Sequence, residues 1–236
     1  DDIDESIKIA ETNFLLGNEE GPENIYYING QLFLSNYYEN GTLEGVQKKY
    51  YDNGNLQAEV PYMNGLREGI ASFYAVDGQT VMYQLHYSKG QAIAYSYMQK
   101  NKQMSEIEPF KDKDPITFVA YYTNGTKSYE ATFVGGVKNG KELYFYPNGK
   151  IFRERNHYYD LYHGVFKEWY ENGQLKCVDI YHYDLLQGES KEYYKNGTLY
   201  REANYVENLL HGNAKQYFPN GQVQFDQEWF YGNRIK

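Results

Sequence analysis

Five histidines, one cysteine and a regular column of acids are the residues of this 236-residue chain that could do chemistry. His86, His157, His163, His182 and His211 could act as bases or ligands, Cys177 as a nucleophile, and Glu59, Glu130, Glu154, Glu202 and Asp226 as acids. Their spacing argues otherwise. His86 and His157 stand eight residues after a recurring glycine, where other segments carry Tyr or Phe, and His163 and His211 each precede a glycine. Only His182 falls outside a pattern. Cys177 and His182 have opposite parity on one predicted strand and so face opposite ways. No Cys-x-x-Cys, His-x-x-x-His, calcium-loop or phosphate-loop motif occurs. The acids come once per interval, whereas a glycosidase needs two carboxylates within about 10 Å. They are expected to pair with Lys48, Lys167, Lys191 and Lys215 as a solvated charge ladder. No catalytic, cofactor-binding or metal-binding residue is assigned, and the chain reads as a non-enzyme.

The elements that carry these residues follow from a rhythm. Asn-Gly or Asp-Gly recurs at Gly30, Gly54, Gly78, Gly125, Gly149, Gly173, Gly197 and Gly221, about 24 residues apart, with one beat missing near Lys102. Such a period marks a repeat array whose units bury apolar surface against their neighbours. An aromatic pair precedes most of these glycines, as in Trp169-Tyr170 and Tyr193-Tyr194. An apolar residue follows at +2 (Leu56, Leu175, Leu199) and an aromatic at +8 (Tyr62, Tyr181, Tyr205). Asn-Gly suits a two-residue turn in which both residues adopt positive φ. A second turn, Gly-x-x-x-Gly or its last glycine alone, sends the chain back.

The expected fold is all-β: a single-layer, twisted, solenoid-like array of about nine consecutive hairpins. Its 18 strands, at roughly 4.8 Å each, would extend on the order of 85 Å. Pro61 is the one proline inside a predicted strand, which suggests an edge or a bulge there. With 29 Tyr and 12 Phe, aromatics supply the apolar area that a thin ribbon lacks in aliphatic residues.

Residues 1–24 form a separate acidic segment with eight acids against Lys8 alone, and 25–236 form the array. Ile3, Ile7, Ala10 and Phe14 share a face at helical spacing with Gly17 as a stop, which predicts a short helical cap over the first hairpin. A degenerate unit lies near 98–120, where Lys100 to Gln103 and Lys111 to Pro115 replace the two turns; it could also be a soft point between two halves. Outside the acidic segment, 24 acids face 22 bases, so no basic stripe for nucleic acid and no polybasic patch for lipid is present. Cys177 alone cannot form an intrachain disulfide, and no apolar run reaches the ~18 residues of a membrane-spanning helix.

The unit Tyr-Tyr-x-Asn-Gly-x-Leu-x-x-Glu-x-x-Tyr, complete at Tyr193 to Tyr205 and looser at Trp169 to Tyr181, resembles the MORN repeat in its bacterial variant. The resemblance covers about residues 25–236 and departs at the degenerate unit. It implies a protein-binding scaffold without catalytic residues, in the form of an antitoxin or immunity-type protein that occludes a toxin. It also implies a bacterial source, with the compartment open between the cytoplasm and export after loss of a signal peptide. A cell-wall or glycan-binding module is the alternative, weakened by the presence of only two Trp. Of each aromatic pair one member must face outward. The second column, Tyr51, Tyr122, Tyr146, Tyr170, Tyr194 and Phe218, is the expected partner-binding surface, and exposed end hairpins could pair edge to edge into a homodimer.

Overall fold

The computed structural model describes residues 9–111 and 113–236. Among these the chain is all-β, without a helix, and consecutive strands pair antiparallel with their sequence neighbours. The strands form two sheets rather than one continuous array. One, of 11 strands, runs from Ala10–Leu15 to Glu108–Pro109; the other, of 13, runs from Ile116–Tyr121 to Asn233–Arg234. Pro109 and Pro115 lie where the first sheet stops, and a proline cannot donate to a ladder. Two compact units result. The first spans the described residues up to 111 together with Val119–Ser128; the second comprises Lys113–Phe118 and Tyr129–Lys236.

No helical cap is formed among the described residues. Ile3 and Ile7 lie outside the described residues. Ala10 and Phe14 belong to the strand Ala10–Leu15, which pairs with Asn18–Tyr26 through a turn at Leu16-Gly17. Four apolar residues at helical spacing are a weak signal, and the hairpin satisfies more backbone groups, including Tyr26 N–H to the Ile9 carbonyl at 2.9 Å. The array thus begins before residue 25.

The Asn-Gly turns of the 24-residue series do not take the two-residue geometry expected of them. At each Asn-Gly or Asp-Gly of the 24-residue series only the glycine has positive φ (Gly173, 93°), and the Gly173 N–H donates to the Tyr170 carbonyl while the Tyr170 N–H donates to the Gln174 carbonyl. This is a type I turn closed by a left-handed glycine bulge, a three-residue loop. The Asn172 side chain selects it by accepting from the Gln174 N–H at 3.0 Å. The two-residue turn with both φ positive is the other one, as at Asn40-Gly41 (50° and 75°). The degenerate unit keeps the first geometry without its glycine. Gln99 N–H reaches the Gln103 carbonyl, Asn101 Oδ1 accepts from Gln103 N–H, and Lys102 takes the glycine's place at φ 68°. Pro61 sits at a bulge: its carbonyl accepts from Glu68 N–H at 3.0 Å, next to the positive-φ Gly69.

Successive repeats are latched at both edges. At the first turn, a tyrosine hydroxyl donates to a backbone carbonyl 23 residues on: Tyr51 to Tyr74, Tyr146 to Trp169, Tyr170 to Tyr193 and Tyr194 to Tyr217, all at 2.7–2.8 Å. At the second turn, an Asp or Asn side chain reaches back 22 residues: Asp160 accepts from Lys138 N–H, Asp184 from Tyr162 N–H and Asn208 from Leu186 N–H. The interior between the edges is deeper than a thin ribbon would hold. Tyr83 and Tyr129 are fully buried, and rings stack at Phe73–Tyr83 (4.5 Å) and Phe118–Phe133 (4.7 Å).

Candidate binding surface

One face of the second sheet is lined with charge. Its inward positions include Arg153, Arg155 and His157 on the strand Ile151–Tyr158, and these meet acids from the strands on either side. Glu142 is fully buried and accepts from Tyr129 Oη (2.7 Å), Tyr144 Oη (3.0 Å) and Lys138 Nζ. His157 Nε2 lies 3.0 Å and Arg155 3.8 Å from its other oxygen. Burial pushes the carboxyl up, but Lys138, the His157 hydrogen bond and Arg155 outweigh it and hold it well below the ordinary carboxylate range. Glu168 is similar. Burial raises its carboxyl, and Arg153 (2.6 Å) and Lys176 (2.7 Å) overcome that and lower it. Both acids spend their lone pairs on neighbours in the chain and keep their charge, so neither is free to exchange a proton near neutral pH.

Cys177 lies between Glu168 and Glu192 across the strands, and burial pushes its thiol up, away from the nucleophilic thiolate. His182 is on the opposite face, as alternation requires. The acidic ladder is present in part. Lys48 meets Glu59 (3.5 Å) and Lys215 meets Asp226 (3.3 Å), whereas Glu154 pairs with Lys141 and Lys191 with Glu189. Glu59 and Glu202 also accept from Tyr74 and Tyr217 hydroxyls.

The tyrosines of the second aromatic column do not face outward. Tyr51 and Tyr122 are buried, at 1% and 3% exposure, and Tyr146, Tyr170 and Tyr194 are half-buried. The hydroxyls of Tyr51, Tyr146, Tyr170 and Tyr194 are consumed by the latches described above. Phe218, without a hydroxyl, is 44% exposed. The bulged turn curls these rings over the next repeat, an orientation that strand parity alone does not encode.

Exposed rings gather instead at the second-turn edge of the second unit. Tyr158, Tyr159, Tyr183, Phe230 and Tyr231 are all between 45% and 56% exposed. The rings of Tyr158, Tyr159, His163, His182 and Tyr183 form one cluster with centroid distances of 4.6 to 6.2 Å. His211, Phe230 and Tyr231 form another at 4.5 to 5.3 Å. Tyr159, Tyr183 and Tyr231 occupy the first position of the two-residue turn at φ 48°, 50° and 44°, where the first unit places Asn40, Asn64 and Lys89. A bulky side chain held there costs of order 1 kcal/mol, and such strain gathers where function requires it. Among the described residues the hydroxyls of Tyr158, Tyr159, Tyr183 and Tyr231 have no hydrogen-bond partner, and Nδ1 of His163 and of His211 is buried without one. The sequence signal for this edge is an aromatic where a turn needs positive φ, together with the off-pattern His182.

Comparison with known proteins agrees with this architecture. The family model of the MORN repeat variant matches residues 43–64, 138–158, 162–182, 186–207 and 210–229. Tyr159, Tyr183 and Tyr231 fall just outside the matched segments, whereas Tyr158, His163, His182 and His211 lie within them. No curated protein matches the chain closely enough to count as a relative. The regular turns, the paired hairpins and the five matched segments show that this chain carries five repeats of the MORN variant.

Proposed function

We propose that the protein is a non-enzymatic scaffold that holds a protein partner against the aromatic–histidine edge of its second unit. The observation that carries this reading is the contrast between two sets of tyrosines. Those at the first turn spend their hydroxyls on the next repeat, and those at the second turn expose strained rings with free hydroxyls. Tyrosine offers large, rigid contact area at small entropic cost, and partner-binding hot spots are enriched in it. An antitoxin is the specific form of this function: the edge would cover the working surface of a toxin.

The test is capture from a lysate of the source organism and from its secreted fraction, with the Tyr159→Asn/Tyr183→Asn double variant as control. Asn tolerates the left-handed conformation better than Tyr, so the variant should be at least as stable as the parent, by thermal melt. It should nevertheless lose one stoichiometric partner at least tenfold, equivalent to about 1.4 kcal/mol. Equal capture by both proteins would refute the assignment of the edge. Retention on cell-wall material with no protein partner would favour a glycan-binding module instead.

A further inference from the structure

The second-turn edge has a pitch as well as a chemistry. Its turns, Tyr159-Asp160, Tyr183-Asp184, Glu207-Asn208 and Tyr231-Gly232, come 24 residues and two sheet strands apart. At roughly 4.8 Å per strand the edge repeats about every 9.6 Å. A polyproline II helix has three residues per turn and rises about 3.1 Å per residue, so it presents the same face about every 9.3 Å. An α-helix repeats every ~5.4 Å and a β-strand every ~6.8 Å, and neither keeps step with the turns.

The side chains fit the same ligand. The rings pack against one another at 4.6 to 6.2 Å, which leaves a platform rather than a cage, so proline rings can stack on it and an enclosed ammonium cannot. Polyproline II carbonyls make no internal hydrogen bonds, and the free hydroxyls of Tyr159, Tyr183 and Tyr231 can donate to them. Between the two ring clusters the repeat places Glu207 where its neighbours have Tyr. Glu207 is exposed, and only its backbone is engaged, donating to Gln187 Oε1 at 3.1 Å. An acid between two aromatic platforms complements a basic residue flanked by prolines.

Resting on the reading of this edge as a partner-binding surface, we infer that it binds a polyproline II segment in which a basic residue stands three positions from a proline on either side. The prolines lie over the Tyr159–Tyr183 and Phe230–Tyr231 clusters and the base lies over Glu207.

The probes are two fluorescein-labelled peptides, each with a run of five prolines on either side of one central residue. That residue is arginine in the first peptide and glutamine in the second, and a flexible glycine–serine peptide of the same length is the control. Each is titrated into the full chain and read by anisotropy. The arginine peptide should bind saturably and lose at least tenfold with Tyr159→Asn/Tyr183→Asn. Glu207→Gln should weaken it about threefold and leave the glutamine peptide unchanged. The inference fails if neither proline peptide saturates at millimolar concentration, or if the edge variants bind them as the parent does. Failure here alongside edge-dependent capture of a protein from lysate would leave the scaffold reading intact and remove only the polyproline ligand. Binding of phosphatidylcholine–phosphatidylserine vesicles that depends on Tyr159 and Tyr183, with no peptide binding, would replace the polypeptide ligand with a membrane surface.

Discussion

Replacing Glu142 with Gln would test whether the buried ionic cluster holds the second unit together. The side chain keeps its volume, and the Tyr129 and Tyr144 hydroxyls, now 2.7 and 3.0 Å from one oxygen, can still donate to the amide carbonyl. Lys138, Arg155 and His157 lose the charge they surround, and the new amide N–H groups face donors. Removing one partner of a buried ion pair costs about 3–5 kcal/mol. The retained hydroxyl bonds place Glu142→Gln near the lower end, about 3 kcal/mol. For a chain of this size that corresponds to a fall in Tm of about 6–12 °C. Trp169 and Trp229 both lie in the second unit, so denaturation followed by tryptophan fluorescence reads the part of the chain that contains Glu142.

The pH dependence adds a sign. The folded carboxyl is held well below its ordinary value, chiefly by Lys138 against the opposing effect of burial. Its stabilisation is therefore complete above the unfolded value of about 4.3 and is lost as pH falls through the folded value. The gap between parent and variant should be constant from about pH 6 to 8 and close below about pH 4. A gap under about 1 kcal/mol at neutral pH, or one that widens on acidification, would refute the view that the charged form of Glu142 is the stabilising one.

The latches and turns yield two further expectations. Tyr170→Phe removes the hydroxyl that reaches the Tyr193 carbonyl at 2.8 Å and should cost about 1 kcal/mol. Because repeats couple to nearest neighbours, hydrogen exchange should quicken in the hairpins on either side of Tyr170 and Tyr193 and stay unchanged around Tyr129; uniform quickening would contradict local latching. Lys102→Gly relieves a left-handed lysine (φ 68°) and should raise stability by up to about 1 kcal/mol, whereas Gly125→Ala (φ 85°) should lower it by about 1–2 kcal/mol. An added Cβ at Gly125 meets nothing within 4 Å, so a loss there would come from the backbone alone; equal melts for parent and variant would overturn that account.

Features that local chemistry controls are legible in the residue order alone. The 24-residue recurrence of Asn-Gly marks the turns, strand parity separates Cys177 from His182, and Tyr193 to Tyr205 carries the family's unit. Each depends on residues within a few positions of one another, where preferences for φ, ψ and side-chain direction operate. Turn identity is less legible: Asn-Gly fits a two-residue turn equally well, and the Asx hydrogen bond of residues such as Asn172 decides for the bulged one. The N-terminal segment departs from its helical spacing for a related reason, since Ala10–Leu15 gains its backbone partners only when Asn18–Tyr26 is beside it.

The remaining features depend on which residues the register brings together, and no local preference encodes that. Glu142 and His157 are 15 residues apart in sequence, as are Arg153 and Glu168, and only antiparallel pairing brings them into contact. The burial of Tyr51 and Tyr122 and the exposure of Tyr159 and Tyr183 have the same origin. A tyrosine carries the same ring and hydroxyl in either place, and the repeat stacked beside it determines whether that hydroxyl closes the scaffold or stays exposed.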